Sequence, residues 1–217
     1  MEQTSSALNP GTIDLVVKQG IFKNKLVIDR LGIEFKKRYV PFSDIESLRY
    51  GVTNVYVNGI HTNVNYTFDF LETNQKKFRV FFSAVGFSKK SKQEAAEHYP
   101  VIVDILWKHI TSKIVNTMIQ TLNSNGTVRV GNFEVGRKGI KVFYRKFFFF
   151  KREIFLPWKD CLKGVGPGYF YIQSASDKGI LAKSTFLSTW NLNALHSLIN
   201  YLWENGNCFK LERGEKI

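Results

Sequence analysis

Apolar and polar positions alternate with a period of two through much of the first ninety residues. Tyr66-Thr67-Phe68-Asp69-Phe70 and Phe78-Arg79-Val80-Phe81 place every second side chain on one apolar face, the pattern of a strand with one side buried. Runs rich in Val, Ile, Leu and Phe at residues 14–22 and 25–35 predict two strands with a turn at Lys23-Asn24. Lys36-Lys37-Arg38 reads as a hairpin tip, and Pro41, with no N–H to give, suits a strand start or a sheet edge. Further strands are expected over residues 43–51, 63–72 and 76–84, with turns at Asn58-Gly59 and Thr73-Asn74.

After Pro100 the period changes to four. Ile102, Leu106, Ile110, Ile114, Met118 and Leu122 form a stripe widened by Ile105, Val115 and Ile119, which predicts an amphipathic helix with Pro100 in its first turn. Asn123-Ser124-Asn125-Gly126 is its stop. Such a helix of about 22 residues is ~33 Å long, more than a small module needs, so its second half is expected to bridge to the next domain. Strands then recur at residues 128–130, 133–135, 140–150, 154–156, 169–174 and 180–183. A closing helix carries Leu192, Leu195, Leu198, Ile199, Leu202 and Trp203 on one stripe, with Asn191 or Thr189 as cap and Gly206 at its left-handed end.

The two halves repeat one pattern. Arg30-Leu31-Gly32-Ile33 returns as Arg137-Lys138-Gly139-Ile140, Pro41-Phe42-Ser43-Asp44-Ile45 as Pro157-Trp158-Lys159-Asp160-Cys161, and Leu106-Trp107 as Leu202-Trp203. A chain of 217 residues accommodates two domains of about 100, and the repeat sets them at 1–123 and 124–217. The fold class expected is mainly β with α (α+β).

A β-rich module with a Pro-aromatic-x-Asp turn after a Gly-Ile strand, closed by a helix with a Leu-Trp pair, resembles the pleckstrin-homology-like (PH-like) superfold, in particular bacterial PH-like and GRAM-like domains. The resemblance covers residues 15–122 and 127–206. It implies two PH-like β-sandwich or barrel modules, each closed by a C-terminal helix, with the first helix extended as the linker. It also implies that Trp107 and Trp203 are buried against their barrels. Lys25 with Lys36-x-Arg38 echoes in part the family's phosphoinositide motif, but Val40 stands where that motif carries an aromatic.

Charge widens the field of partners. The net charge is +13, with 16 Lys/Arg against 11 Asp/Glu (+5) in residues 1–123 and 15 against 7 (+8) in 124–217. Such a surface attracts anions at long range without choosing among them. Lys25, Lys36, Lys37, Arg38, Lys89, Lys90 and Lys92 are the candidate anion contacts, the last three read as a basic loop. Two cysteines make no disulfide framework, and the first residues lack a signal-peptide profile, so a cytoplasmic location is expected, free or peripheral at a membrane. No apolar run approaches the ~20 residues that span a bilayer.

The copies differ most in one hairpin. Gly32 and Pro41 are nine residues apart, Gly139 and Pro157 eighteen. If Ile140 pairs near Leu156 the turn falls at about residue 148, with Phe147, Phe148, Phe149 and Phe150 at the tip and Arg145, Lys146, Lys151 and Arg152 as a collar. These eight are the candidate interface or lipid contact, because contiguous apolar surface marks interfaces and basic-aromatic loops suit anionic membranes. The alternative turns the chain at Lys151-Arg152-Glu153 and makes the phenylalanines ordinary strand residues.

Catalytic signals are poor. His61, His98, His109 and His196 share no ligand spacing, Cys161 and Cys208 lie 47 residues apart, and neither metal nor cofactor is expected. Asp44 and Asp160 suit local backbone hydrogen bonds, and Gly164-Val165-Gly166-Pro167-Gly168 reads as a flexible loop, since no Gly-Lys-Ser/Thr comes after it. The expected function is non-enzymatic binding or scaffolding, first through an unidentified protein partner and alternatively through anionic membrane lipid. Nucleic acid ranks last, and self-association stays open.

Overall fold

The computed structural model describes residues 13–19, 22–85, 89–146 and 150–217. The chain is α+β, with four antiparallel sheets and a few helices. It divides into two compact units, one holding residues up to 46 with 52–106 and the other residues 47–51 with 107–217.

In the first unit β1 (Ile13–Gln19), β2 (Phe22–Ile28), β3 (Gly32–Phe35) and β4 (Arg38–Pro41) form one sheet in that order. Lys18 pairs with Lys23 and Val17 with Asn24, so the turn expected at Lys23-Asn24 is instead a ladder that runs as far as Gln19 opposite Phe22. The single strand expected over 25–35 is broken. The Asp29 carboxylate accepts the Leu31 and Gly32 N–H groups at 2.7 and 2.8 Å, which closes a corner there. The Lys36-Lys37 tip is a two-residue turn with φ of 53° and 64°, and Pro41 ends the edge strand β4.

A single 3₁₀ turn (Phe42–Asp44) leads into β5 (Ile45–Val57), β6 (Ile60–Glu72) and β7 (Lys77–Val85), which form the second sheet. Tyr66, Phe68 and Phe70 are buried along β6 with Phe78, Val80 and Phe82 of β7. Tyr66 stacks on Phe82 with centroids 5.0 Å apart. α1 (Lys89–Leu106) adds Tyr99, 5.3 Å from Tyr66 and 5.4 Å from Phe68. Pro100 therefore lies inside a helix and not in its first turn. Lys89, Lys90 and Lys92 are helical residues, not a loop.

The second unit begins with a π-helical stretch (Trp107–Thr111) and α2 (Ser112–Asn123). Trp107 is 41% exposed while Leu106 is buried, which corrects the expectation that this tryptophan packs inside. Then come β8 (Val128–Val130), β9 (Phe133–Gly136), β10 (Gly139–Lys146) and β11 (Phe150–Pro157), a sheet ordered β11-β10-β9-β8. A 3₁₀ turn (Trp158–Asp160), the sheet β12 (Cys161–Gly166), β13 (Tyr169–Ser174) and β14 (Leu181–Thr185), and the helices α3 (Leu192–Glu204) and α4 (Asn207–Glu212) complete it.

Gly164 and Gly166 are not loop residues. They pair with Tyr171 and Tyr169 in the β12–β13 ladder, and a Cβ at either would stand 2.2 or 2.3 Å from the tyrosine ring covering it. Glycine is required there by the close approach of an aromatic, not by mobility. Asn191 does precede α3, but its side chain leaves the helix uncapped. It accepts the Leu48 N–H and donates to Ser47 Oγ, each at 3.0 Å, within the same unit. Gly206 ends α3 with φ of 60°, as expected.

The repeated residues have structural work in each unit. Gly32 pairs with Pro41 and Gly139 with Pro157. A Cβ would lie 2.4 Å from the Val40 carbonyl oxygen in the first and 2.1 Å from that of Leu156 in the second. The Asp44 and Asp160 carbonyls accept the Thr73 and Ala175 N–H groups, both at 2.8 Å. The Asp160 carboxylate also takes the Ser174 hydroxyl at 2.7 Å and the Ser176 N–H at 2.8 Å.

Candidate functional site

The β10–β11 ladder decides where the long hairpin turns. Gly139 pairs with Pro157, Ile140 with Leu156, Phe143 with Glu153, Tyr144 with Arg152, Arg145 with Lys151 and Lys146 with Phe150. Lys151, Arg152 and Glu153 are thus rungs of the ladder, and the alternative that turned the chain there is overturned. Phe147, Phe148 and Phe149 lie outside the described residues. The antiparallel register sets Arg145 opposite Lys151 and Lys146 opposite Phe150, on the last two rungs before residues 147–149.

Along the outer half of the same hairpin is an open groove of about 640 Å³. Arg129 of β8, Asn132 of the β8–β9 turn, Phe143 and Tyr144 of β10, Arg152 and Glu153 of β11 and Lys183 of β14 line it. The turn is pinned to β14: the Asn132 N–H donates to Ser184 Oγ at 3.1 Å and its side-chain amide to the Lys183 carbonyl at 2.6 Å. Gly131 takes φ of +56°, and a Cβ there would sit 2.6 Å from Ser184 Oγ, so a left-handed glycine lets the turn close on β14. These bonds bring Arg129 and Lys183 to one concavity.

Two of the three groove cations are ordered by rings. The Arg129 guanidinium lies 4.5 Å from the Phe143 centroid and Lys183 Nζ 4.9 Å from that of Tyr169. The ion pairs among the described residues join Arg38 to Glu72, Arg79 to Asp69, Lys141 to Glu134 and Arg213 to Glu215. None neutralises Arg129, Arg152 or Lys183.

Sequence reasoning had Arg152 but missed Arg129 and Lys183. Their signal was parity: in Val128-Arg129-Val130 and Ala182-Lys183-Ser184 the flanking residues are buried and the cation points out. Which outward cations converge depends on sheet geometry, which single strands do not reveal.

The first unit's candidates are arranged differently. Pairing of Leu26 with Phe35 sets Lys25 beside the exposed Lys36-Lys37 turn. Arg38 faces Glu72, reaches the Lys77 carbonyl at 3.1 Å and lies over Phe78. Lys89, Lys90 and Lys92 are placed on α1, away from that turn in sequence and element.

Cys161, Cys208 and His196 sit in settings that disfavour their charged forms. Burial pushes the Cys161 thiol up to about 12 and raises that of Cys208. Burial, helped by Lys163, lowers the His196 pKa below its ordinary value. Among the described residues no group of three or more His, Cys, Asp or Glu could hold a metal, and no helix is long and apolar enough to cross a membrane. Compared with family models, curated proteins and solved structures, the chain matches none.

Proposed function

We propose that the chain is a non-catalytic binding protein of two PH-like modules, and that its second unit docks on an anionic membrane surface through the β10–β11 hairpin. The modular reading is supported by one element order in both halves: a four-stranded sheet, a 3₁₀ turn after proline, a three-stranded sheet and a helix. The docking reading rests on the register that puts Arg145, Lys146 and Lys151 on the last rungs before residues 147–149, with Arg152 one rung behind. Each Lys or Arg held near an anionic leaflet contributes about 1 kcal/mol, and aromatic side chains at a tip enter the interface. A peripheral, cytoplasmic-side location is part of this reading.

The test is co-sedimentation with phosphatidylcholine vesicles, with and without phosphatidylserine. Binding is expected only with the anionic lipid and should fall steeply as salt shortens the screening length. Phe148→Ser with Phe149→Ser should keep the fold and lose the vesicles. Absence of binding at low salt overturns the reading.

Protein recognition is the second reading. It is favoured by Phe155, Leu162 and Val165, which are 50%, 49% and 55% exposed on β11 and β12. Both strands lie at the edge of their sheets, where an added strand can pair. A salt-resistant partner that substitutions at these three positions release would support it.

A further inference from the structure

We infer that the outer part of the β5–β6 hairpin in the first unit is a self-association surface, and that a second copy of this chain seats on its β-branched face. The inference rests on this hairpin alone and stands whether or not the β10–β11 hairpin meets a membrane. Asn58-Gly59 is a two-residue turn with φ of 50° and 77°, the reversal that such a pair favours. Val57 therefore stands opposite Ile60, and Val55 opposite Thr62, whose hydroxyl donates to the Val55 carbonyl at 3.1 Å. The Tyr56 and His61 rings meet on the other side, with centroids 5.2 Å apart. Parity then sets Thr53, Val55 and Val57 on one face with Ile60, Thr62 and Val64.

That face continues the face that builds the core. Tyr66, Phe68 and Phe70 keep the same parity along β6 and are buried. Farther out the cover ends: Val57 is 54% and Ile60 58% exposed, and no residue from 52 to 65 is buried. β7 pairs with β6 only as far as Val85 opposite Asn63, so among the described residues the rungs at 60–62 form a ribbon of two strands. Such a ribbon is marginal in water by itself, and contiguous exposed apolar surface marks an interface. Charge and backbone chemistry select the occupant. Residues 50–68 hold no Asp, Glu, Lys, Arg or Pro, so the ribbon lacks the charges and prolines that guard a strand pair against its own kind. In a chain of net charge +13, two copies repel at long range and approach at least cost where charge is absent. An acidic partner would find no cation here to pair with. A bilayer would accept the apolar tip, but the open edges of the ribbon would enter hydrocarbon with backbone groups unsatisfied. A second copy covers the face and leaves those edges in water, and a two-fold axis through the face uses each contact twice.

The experiment is sedimentation velocity of the full chain. Over about 1 to 200 µM the monomer should pass into a dimer as concentration rises. Raising salt from about 0.1 to 0.5 M should leave the association as strong or strengthen it, because screening removes the like-charge repulsion and not the apolar contact. Ile60→Lys and Val57→Lys each set a charge in the covered face and should weaken the dimer at least about tenfold. Leu31→Lys adds the same charge at a 73% exposed position between β2 and β3 and should leave the dimer unchanged. Thermal melts confirm that each variant is folded. Val55→Cys gives a second readout that needs no added charge: it lies on the middle rung, near any two-fold axis through the face, and oxidation should link two copies through it. Leu31→Cys should give no such link, the native thiols being buried. A monomer at every concentration, dissociation by salt, equal weakening by Leu31→Lys, or no cross-link through position 55 would overturn the inference. Binding to uncharged phosphatidylcholine vesicles that Ile60→Lys abolishes would assign the face to lipid and overturn it as well.

Discussion

The indole of Trp158 stands edge-on to that of Trp203, with ring centroids 5.2 Å apart and planes at 84°. One ring comes from the 3₁₀ turn after Pro157 and the other from α3, so this contact fastens the closing helix to the junction between two sheets. Trp158 also donates its indole N–H to the Arg137 carbonyl at 2.7 Å. Trp158→Ala should destabilise the second unit by about 3–5 kcal/mol, as large core truncations do. Trp158→Phe, which keeps a ring but not the donor, should cost roughly 1–3 kcal/mol. A double-mutant cycle in urea with Trp203→Ala should show a coupling of about 0.5–1.5 kcal/mol. Additivity would mean that the edge-on contact is incidental.

The repeated glycines make a sharper test. Gly139→Ala must push β10 from β11, because its Cβ would meet the Leu156 oxygen at 2.1 Å, and Gly32→Ala does the same to β3 and β4 at 2.4 Å. Each should lower stability by at least ~2 kcal/mol, the range of overpacking in a closed core. Gly136→Ala meets nothing nearer than 3.5 Å and should be neutral or gain up to ~1 kcal/mol through the unfolded chain. Equal effects at all three positions would remove close approach as the reason for the repeat.

Both thiols should be silent in the folded chain. With its thiol near 12, Cys161 holds almost no thiolate at pH 8, and burial also raises Cys208. Alkylation of Cys161 by iodoacetamide should be at least about a hundredfold slower than in guanidinium, where both thiols return to ordinary values, and Cys208 should also be slowed. Fast labelling under native conditions would refute the buried placement.

Stability should fall on acidification in two separate windows. His196 is held neutral by burial and by Lys163, so its folded pKa lies below 6.5. Its contribution is complete above pH 6.5 and is lost as protons bind the unfolded chain first. Asp160 titrates lower down. The Ser174 hydroxyl leads the hydrogen bonds that hold its pKa below 3.8, so its contribution is complete above that value and fades as pH falls through the folded one. Chemical denaturation from pH 8 to 3 should show the first slope vanish in His196→Gln and the second in Asp160→Asn. An unchanged profile in either variant would dismiss that residue as a source.

How far the chain could be read depended on the range of the forces involved. Alternation marked β6 and β7 within a few residues because that signal is local, whereas the Gly139–Pro157 spacing left two registers open for the long hairpin, of which the one with Ile140 opposite Leu156 is observed. Reversals were harder. Lys23 and Asn24 are paired across to Lys18 and Val17 and make no turn, a choice made by registry and not by turn propensity. Gly164 and Gly166 look like a loop until Tyr171 and Tyr169 are laid over them. Pro100 reads as a helix start, yet α1 begins at Lys89, where a weakly apolar run gave no periodic signal. The groove was least legible, because its cations come from β8, β11 and β14 and meet only through sheet packing.

The two hairpins begin from the same Gly–Pro rung, but β3–β4 has four paired rungs and β10–β11 eight. Four more rungs make a cantilever about 13 Å longer, at ~3.3 Å per residue. Along its outer length Phe143, Tyr144, Arg152 and Glu153 are only half-buried or exposed, and the sealed interior lies nearer the root, at Ile140, Val142 and Leu156. What the arm exposes and what keeps the unit folded are thereby set by different residues. Changes on the outer rungs leave the sealed root as it is, so the surface of the hairpin can vary without disturbing the packing that folds the unit.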